Sequence, residues 1–152
     1  MRRWLVRTLS LLLVALAPWN VVHVRAHDPG LSTLTLAEAS GGFAFRLVIP
    51  NEALPESRRA ALPRCRGEGV LSLVRQGAPP RPLAASCRDL AGHQTAFEGT
   101  LREQGAVVLS LLDELPRGHR SFARVLDLQG AVRLERLLAR GHAPLVLAPA
   151  MH

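Results

Sequence analysis

The sequence contains no lysine, so all nineteen of its basic residues are arginines. Aromatic residues make up only 4% of the chain. Beyond the first 26 residues, no basic run is interleaved with aromatics, as a surface that tracks phosphates and stacks on bases requires. We therefore expect no nucleic-acid partner, and we interpret the arginine content as a compositional bias of the genome.

Long hydrophobic runs are also missing after the N-terminal region. The longest ones, residues 106–112 and 143–150, are much shorter than the roughly 20 apolar residues that cross a bilayer. The second run contains two prolines besides. We therefore expect no transmembrane segment in the chain as given.

The motifs of common enzyme classes are absent as well: there is no G-x-S-x-G, P-loop, HExxH or Rossmann glycine pattern. Asp113 and Glu114 form a carboxylate pair, but neighbours at a strand end point to opposite sides. Solubility of a loop explains this pair better than acid–base catalysis. We therefore expect a protein that is not an enzyme.

The N-terminal 26 residues have the three parts of a secretory signal peptide. Arg2, Arg3 and Arg7 form a basic region, residues 9–17 form a short apolar region, and residues 24–26 (Val-Arg-Ala) form a cleavage site. An uncleaved membrane anchor is the alternative, but the apolar region is too short for it. We expect cleavage after Ala26, export to the bacterial periplasm, and a single exported domain over residues 27–152 with fifteen basic and twelve acidic residues.

Two cysteines, Cys65 and Cys87, lie in the exported part. An even number of cysteines in a small exported domain predicts a disulfide bond. The bridge would close a loop of about 23 residues and contribute on the order of 3 kcal/mol. A thiolate metal site is the alternative, but two isolated cysteines lack the CxxC spacing typical of such sites.

Short alternating segments separated by glycine and proline predict an all-β domain. The alternation predicts a hairpin of residues 31–37 and 43–49 around a turn at residues 40–42, and a short helix over 57–62 that ends at Pro63. We predict a strand or a short helix over residues 131–139, after a hairpin turn at Gln129-Gly130. Further strands are predicted over residues 70–75, 83–90, 95–101, 106–112, 120–128 and 145–148, with a turn at Gly105 and an extended connector over 77–82. The expected fold is an antiparallel β-sandwich of about seven short strands with one short helix.

Histidines are the main candidates for a binding site. Cleavage after Ala26 would place the amine and the imidazole of His27 on one residue, and together these can chelate copper. A second histidine would complete the site, with His93, His119 and His142 as candidates and Asp28 as an axial ligand. The alternative is that these histidines are ordinary exposed polar residues. For Gly118-His119-Arg120, which follows a loop and precedes a strand, we favour a structural role in a turn.

Several segments resemble the exported N-terminal region of HupE/UreJ-like membrane proteins, which are hydrogenase and urease accessory proteins. These segments are residues 27–32, 115–120, 125–130 and 135–138. The resemblance implies a signal peptide, an exported β-rich domain and a following multi-helix membrane domain with a role in nickel transport. The family's metal-handling residues are expected in that membrane domain, so none can be assigned here. The chain ends at His152, where the family's first membrane helix is expected, and we interpret it as a free-standing relative of the exported domain or a fragment.

Together, these observations predict a non-enzymatic periplasmic accessory or interaction domain. Its expected partner is a multi-helix membrane protein encoded nearby. The alternative is a periplasmic copper-binding protein that uses His27. Copper or nickel is the cofactor that these two hypotheses suggest.

Overall fold

The computed structural model describes residues 30–62, 69–91, 93–103 and 105–147. The predicted signal peptide, His27 and Cys65 lie outside these residues. The described part contains one α-helix, α1 (Glu56–Ala61), and two 3₁₀ helices, Asn51–Ala53 and Ser110–Asp113. The strands are β1 (Leu31–Ala39), β2 (Gly42–Pro50), β3 (Ser72–Val74), β4 (Arg81–Pro82), β5 (Ser86–Leu90), β6 (Gln94–Leu101), β7 (Gly105–Val108), β8 (Arg120–Leu126), β9 (Val132–Leu138) and β10 (Leu145–Leu147).

These ten strands form two sheets and confirm the all-β fold class. A six-stranded sheet has the order β5-β6-β2-β1-β8-β9, and a four-stranded sheet has the order β10-β7-β3-β4. The predicted number of about seven strands was wrong. The difference arises partly because Arg81 and Pro82, in the predicted connector, pair with β3. Segment 131–139, left open between strand and helix, contains β9.

The expectation of purely antiparallel pairing was also wrong. β1 and β8 run parallel, with Leu31 opposite Arg120 and Ala37 opposite Leu126. Parallel neighbours need a long connection, and here the chain from β2 to β7 lies between them. The face-to-face packing of a sandwich stays a prediction.

The two predicted hairpins are confirmed. β1 and β2 pair antiparallel around Ser40-Gly41, and Gly41 has a φ of +84° that glycine adopts without strain. β8 and β9 pair across a turn in which the Asp127 carboxylate accepts hydrogen bonds from two backbone N–H groups, those of Gln129 and Ala131.

Alternation along β2 explains how the core forms. Every second side chain points to the same face of a strand, and Phe43, Phe45, Leu47 and Ile49 are all buried. Both sheets contribute side chains to one buried hydrophobic cluster. Hydrophobic burial on one face of each sheet is therefore the main stabilising term of this domain.

The predicted strand over residues 106–112 divides into two elements. β7 ends at Val108, and a 3₁₀ helix follows over Ser110–Asp113. Leu111 and Leu112 are both buried. Successive side chains of a strand point to opposite faces, so a strand that is buried on one face only could not bury both of them. The burial of both leucines therefore favours the 3₁₀ turn.

The predicted helix is confirmed as α1, which follows Pro55 and starts at Glu56. None of its six residues is buried. Arg58 connects it to the end of the 3₁₀ helix, because the guanidinium donates to both carboxylate oxygens of Glu114 at 2.8 and 2.5 Å. This two-point contact raises the pKa of Arg58.

Candidate functional site

His119 lies in the turn that leads into β8. Gly118 has a φ of +91°, and the His119 N–H donates to the Pro116 carbonyl at 3.1 Å. The next N–H, that of Arg120, donates to the Gly30 carbonyl at 2.7 Å. The turn therefore aligns the start of β8 with the start of β1.

The His119 ring and the Ser32 hydroxyl form a buried polar cluster, and the buried Ser121 lies on the neighbouring strand. His119 is 5% exposed, Ser32 2% and Ser121 0%. The His119 Nε2 lies 3.2 Å from the Ser32 Oγ, and Ser32 donates to the Arg120 carbonyl at 3.4 Å. Ser32 and Ser121 are opposite each other in the parallel pair. The cluster thus joins two strands that are far apart in the sequence.

The tautomer of His119 decides the direction of its hydrogen bond with Ser32. When Nε2 carries the hydrogen, it donates to Ser32, and the Ser32 hydroxyl donates to the Arg120 carbonyl. When Nδ1 carries the hydrogen, the Ser32 hydroxyl donates to Nε2. With either tautomer the contact joins the start of β1 to the start of β8.

The structure does not bring His93 to His119. His93 is exposed, has a φ of +64°, and lies in the turn between β5 and β6. β6 and β8 are three strand spacings apart, which corresponds to about 14 Å. Within the described ranges, no group of three or more histidine, cysteine, aspartate or glutamate side chains could hold a metal ion. The predicted partner of these histidines, His27, lies outside those ranges.

His142 occupies a different part of the molecule, between β9 and β10. Its Nε2 accepts a hydrogen bond from the Leu109 N–H at 3.4 Å, and its Nδ1 donates to the Ala139 carbonyl at 3.1 Å. Burial lowers the pKa of His142, although the Ala139 carbonyl acts in the opposite direction. Both ring nitrogens have backbone partners, so the neutral ring connects two segments of the chain.

Only one of the two cysteines of the predicted disulfide, Cys87, lies among the described residues. Cys87, on β5, is disulfide-bonded and packs against the core. Its predicted partner, Cys65, lies outside the described residues. The pairing Cys65–Cys87 stays a prediction.

A surface that the sequence reasoning missed runs along the β8–β9 hairpin. Leu128, Val132, Leu134 and Leu137 are between 39% and 52% exposed. Together with Arg136 they define what we call the β9 edge surface, which has two faces: Leu134 and Arg136 lie on the same face as the buried Leu138, and Leu137 lies on the opposite face. The signal was the mixed periodicity of residues 131–139, because a strand exposed on both faces does not show clean alternation.

The charges around the β9 edge surface are unbalanced. Arg124 pairs with Glu135 at 3.0 Å and Arg133 with Glu38 at 3.4 Å. Three more arginines of this region form no ion pair with a carboxylate of the described residues; they are Arg120, Arg136 and Arg140. Of these, Arg140 donates to the Leu115 carbonyl at 2.7 Å and Arg120 lies on β8, so the surface combines exposed apolar side chains with the positive charge of Arg136.

Comparison with known proteins gave no matching family model and no significant match among curated proteins. No helix in the part of the chain that the structure describes is long and apolar enough to cross a membrane.

Proposed function

We propose that this chain is an exported, non-enzymatic accessory domain that acts by binding another protein. The observation that carries this proposal is the β9 edge surface. Large apolar side chains exposed on both faces of one edge strand, next to charged ones, are open to contact with another protein. Four of the six exposed large hydrophobic residues in the described ranges lie on this one hairpin.

The buried polar cluster stabilises the side of this hairpin that faces away from β9, where β8 pairs with β1. His119 and Ser32 are almost fully buried and hydrogen-bonded to each other. Such contacts strengthen the pairing of β1 with β8, which carries β9. The cluster therefore stabilises the hairpin that presents the interaction surface.

The sequence suggests the setting of this interaction. The N-terminal region resembles a signal peptide, and the resemblance to HupE/UreJ-like proteins suggests a multi-helix membrane protein as the partner. In this proposal the partner transports nickel, and the exported domain contacts its periplasmic face.

Site-specific photo-crosslinking in the native host tests the proposal. A photoreactive amino acid at Leu134 is expected to crosslink to a multi-helix membrane protein, identified by mass spectrometry. The matched control carries the same group at Val146, which is 73% exposed on β10. Retention of the chain in the cytoplasm, or crosslinks at position 134 to no membrane protein, would contradict the proposal.

A copper-binding role is the second candidate, and one contact favours it. The Arg120 N–H to Gly30 carbonyl bond brings Gly30 next to the turn that carries His119. His27 precedes Gly30 by three residues in the sequence, and three residues span at most about 10 Å, so a copper site shared by His27 and His119 is compatible with the length of this segment. To bind copper through Nε2, His119 would have to give up its hydrogen bond to Ser32.

Titration of the mature protein with Cu(II), followed by its d–d absorption, tests this candidate. The control is a variant with one extra residue before His27, which removes the six-membered chelate ring that copper would form with the N-terminal amine and the Nδ1 of His27. Copper binding through His27 predicts a large loss of affinity in the control. Equal affinity of the two proteins would exclude the N-terminal site.

A further inference from the structure

His142 lies where the chain passes from one sheet to the other. It belongs to the segment between β9, an edge of the six-stranded sheet, and β10, an edge of the four-stranded sheet. Its Nδ1 is bonded to the carbonyl of Ala139, just after β9, and its Nε2 to the N–H of Leu109, just after β7. We call these two hydrogen bonds the His142 clasp. The clasp fixes the crossing segment to the end of the strand with which β10 pairs.

β10 has few attachments besides this clasp. It has three residues and, among the described strands, pairs with β7 alone. Leu145 and Leu147 belong to the buried core, whereas Val146 between them is 73% exposed. Local opening is easiest for a short element with few buried contacts. Release of the clasp would therefore act first on β10.

The backbone partners of the ring fix which nitrogen carries the hydrogen. A carbonyl only accepts and an N–H only donates, so Nδ1 is protonated and Nε2 directs a lone pair to Leu109. A proton taken from solvent onto Nε2 would turn this acceptor into a donor that faces another donor. The clasp therefore closes only on the neutral ring, and the charged ring has to move away from Leu109, which is 2% exposed.

On balance, the surroundings of the ring favour its neutral form. Burial, the largest cause, lowers the pKa of His142, and the Ala139 carbonyl raises it. The charge of Arg136 on β9 lowers this pKa and that of Asp113 in the 3₁₀ helix raises it, with a net result below 6.5. A group whose pKa is lower in the closed state than in the open one favours opening as the pH falls. Opening should therefore increase only below 6.5.

We propose that the His142 clasp is an acid-sensitive switch that releases β10 from β7 while the rest of the two sheets remains folded. Protonation of Nε2 breaks the bond to Leu109, the crossing segment moves away, and Leu145 and Leu147 leave the core. β7 then becomes an edge of the four-stranded sheet, with backbone groups that no strand pairs. The domain thus has a second, partly open conformation in acid.

Hydrogen exchange of the ¹⁵N-labelled chain, measured by NMR at one pH above 6.5 and one below it, tests the proposal. The rates are corrected for the intrinsic pH dependence of amide exchange. At the lower pH, protection of the β10 amides is expected to fall about fivefold, the factor that corresponds to about 1 kcal/mol for one lost hydrogen bond.

Low concentrations of urea separate local opening from unfolding of the whole domain. Local opening exposes little surface, so exchange in β10 should depend little on urea. The amides of β2, in the centre of the larger sheet, should exchange more slowly than those of β10 at both pH values and show a steep dependence on urea.

His142→Gln is the diagnostic variant, because its carboxamide has no charge at either pH and can still accept from the Leu109 N–H. Protection of β10 in this variant is expected to be the same at both pH values. His93→Asn, at an exposed histidine outside the crossing segment, is the matched control and should respond to pH like the wild type.

Three results would overturn the proposal. They are equal protection of β10 at both pH values in the wild type, exchange in β10 that depends on urea as steeply as in β2, and an undiminished pH response in His142→Gln. The first two are measured on the wild type and decide the question even when the variant does not fold.

Discussion

His119 shows how a single polar residue acts in this core. The residue is 5% exposed, and its Nε2 is hydrogen-bonded to the Ser32 hydroxyl, which also contacts the Arg120 carbonyl. A buried polar group that loses its partner costs about 1–3 kcal/mol. The residue therefore contributes to stability through hydrogen bonding and not through any contact with solvent.

A double-mutant cycle tests this role of His119. We expect His119→Ala and Ser32→Ala each to lower the free energy of unfolding by about 1–3 kcal/mol, and the double variant to lose less than their sum. Urea unfolding measures all four proteins. Fully additive losses would show that the two side chains do not interact.

His142 makes the stability of the domain depend on pH. Its pKa in the folded state lies below the ordinary value of 6.5, because burial disfavours the charged ring. The unfolded chain therefore binds the proton more readily, and stability is lost as the pH falls below 6.5. Protonation of Nε2 also removes the acceptor for the Leu109 N–H.

Urea unfolding at pH values above and below 6.5 checks this expectation. His142→Gln is expected to lose less stability on acidification than the wild type. His93→Asn, at an exposed histidine whose positive φ asparagine tolerates, should retain the wild-type pH dependence. An unchanged pH dependence in His142→Gln would reject the role of this ring.

At the scale of elements, the pairing of β2 with β6 depends on the absence of a side chain at Gly99. Gly99 lies opposite Phe45, and a Cβ on it would lie 2.6 Å from the Phe45 ring and 2.6 Å from the Ala84 carbonyl oxygen. The Phe45 ring of β2 therefore packs directly over Gly99 of β6, in the space that a side chain at position 99 would fill.

Gly99→Ala is expected to destabilise the domain by about 1–3 kcal/mol, because the Phe45 ring or the strand has to move. Thermal unfolding measures the loss. Thr100→Ala, at the exposed neighbouring position, is the control and should change stability by less than about 0.5 kcal/mol. A neutral Gly99→Ala would show that the core relaxes around the new methyl group.

At the scale of the whole molecule, the chain alternates between the two sheets. β1 and β2 belong to the larger sheet, β3 and β4 to the smaller one, and the later strands return to each in turn. One buried cluster takes side chains from both. Neither sheet is a continuous piece of chain, and we therefore expect the domain to unfold cooperatively.

The disulfide acts at the same scale. If Cys87 is bonded to Cys65, the closed loop contains β3 and β4 and so links the two sheets. Cys87→Ser is expected to lower the free energy of unfolding by about 3 kcal/mol, measured by urea unfolding in oxidising buffer. In reducing buffer the variant and the wild type should unfold alike, and equal stability in oxidising buffer would contradict the pairing.

Local patterns in the sequence were sufficient to predict the hairpins and the helix. Alternation and glycine at Gly41 and Gly130 act over a few residues, and so does the proline before α1. The partner of His119 could not be found in this way. Ser32 is 87 residues away, and only the parallel pairing of β1 with β8 brings the two side chains together.

The sequence alone determined the all-β class, the positions of most strands and the residues that form one buried face, because these follow from side-chain period and turn chemistry. The tertiary structure decided which strands pair, that β9 lies at an edge, and which arginines remain without a carboxylate. These features depend on contacts between residues distant in the chain. The β9 edge surface, which carries the proposed interaction, therefore became visible only in the folded molecule.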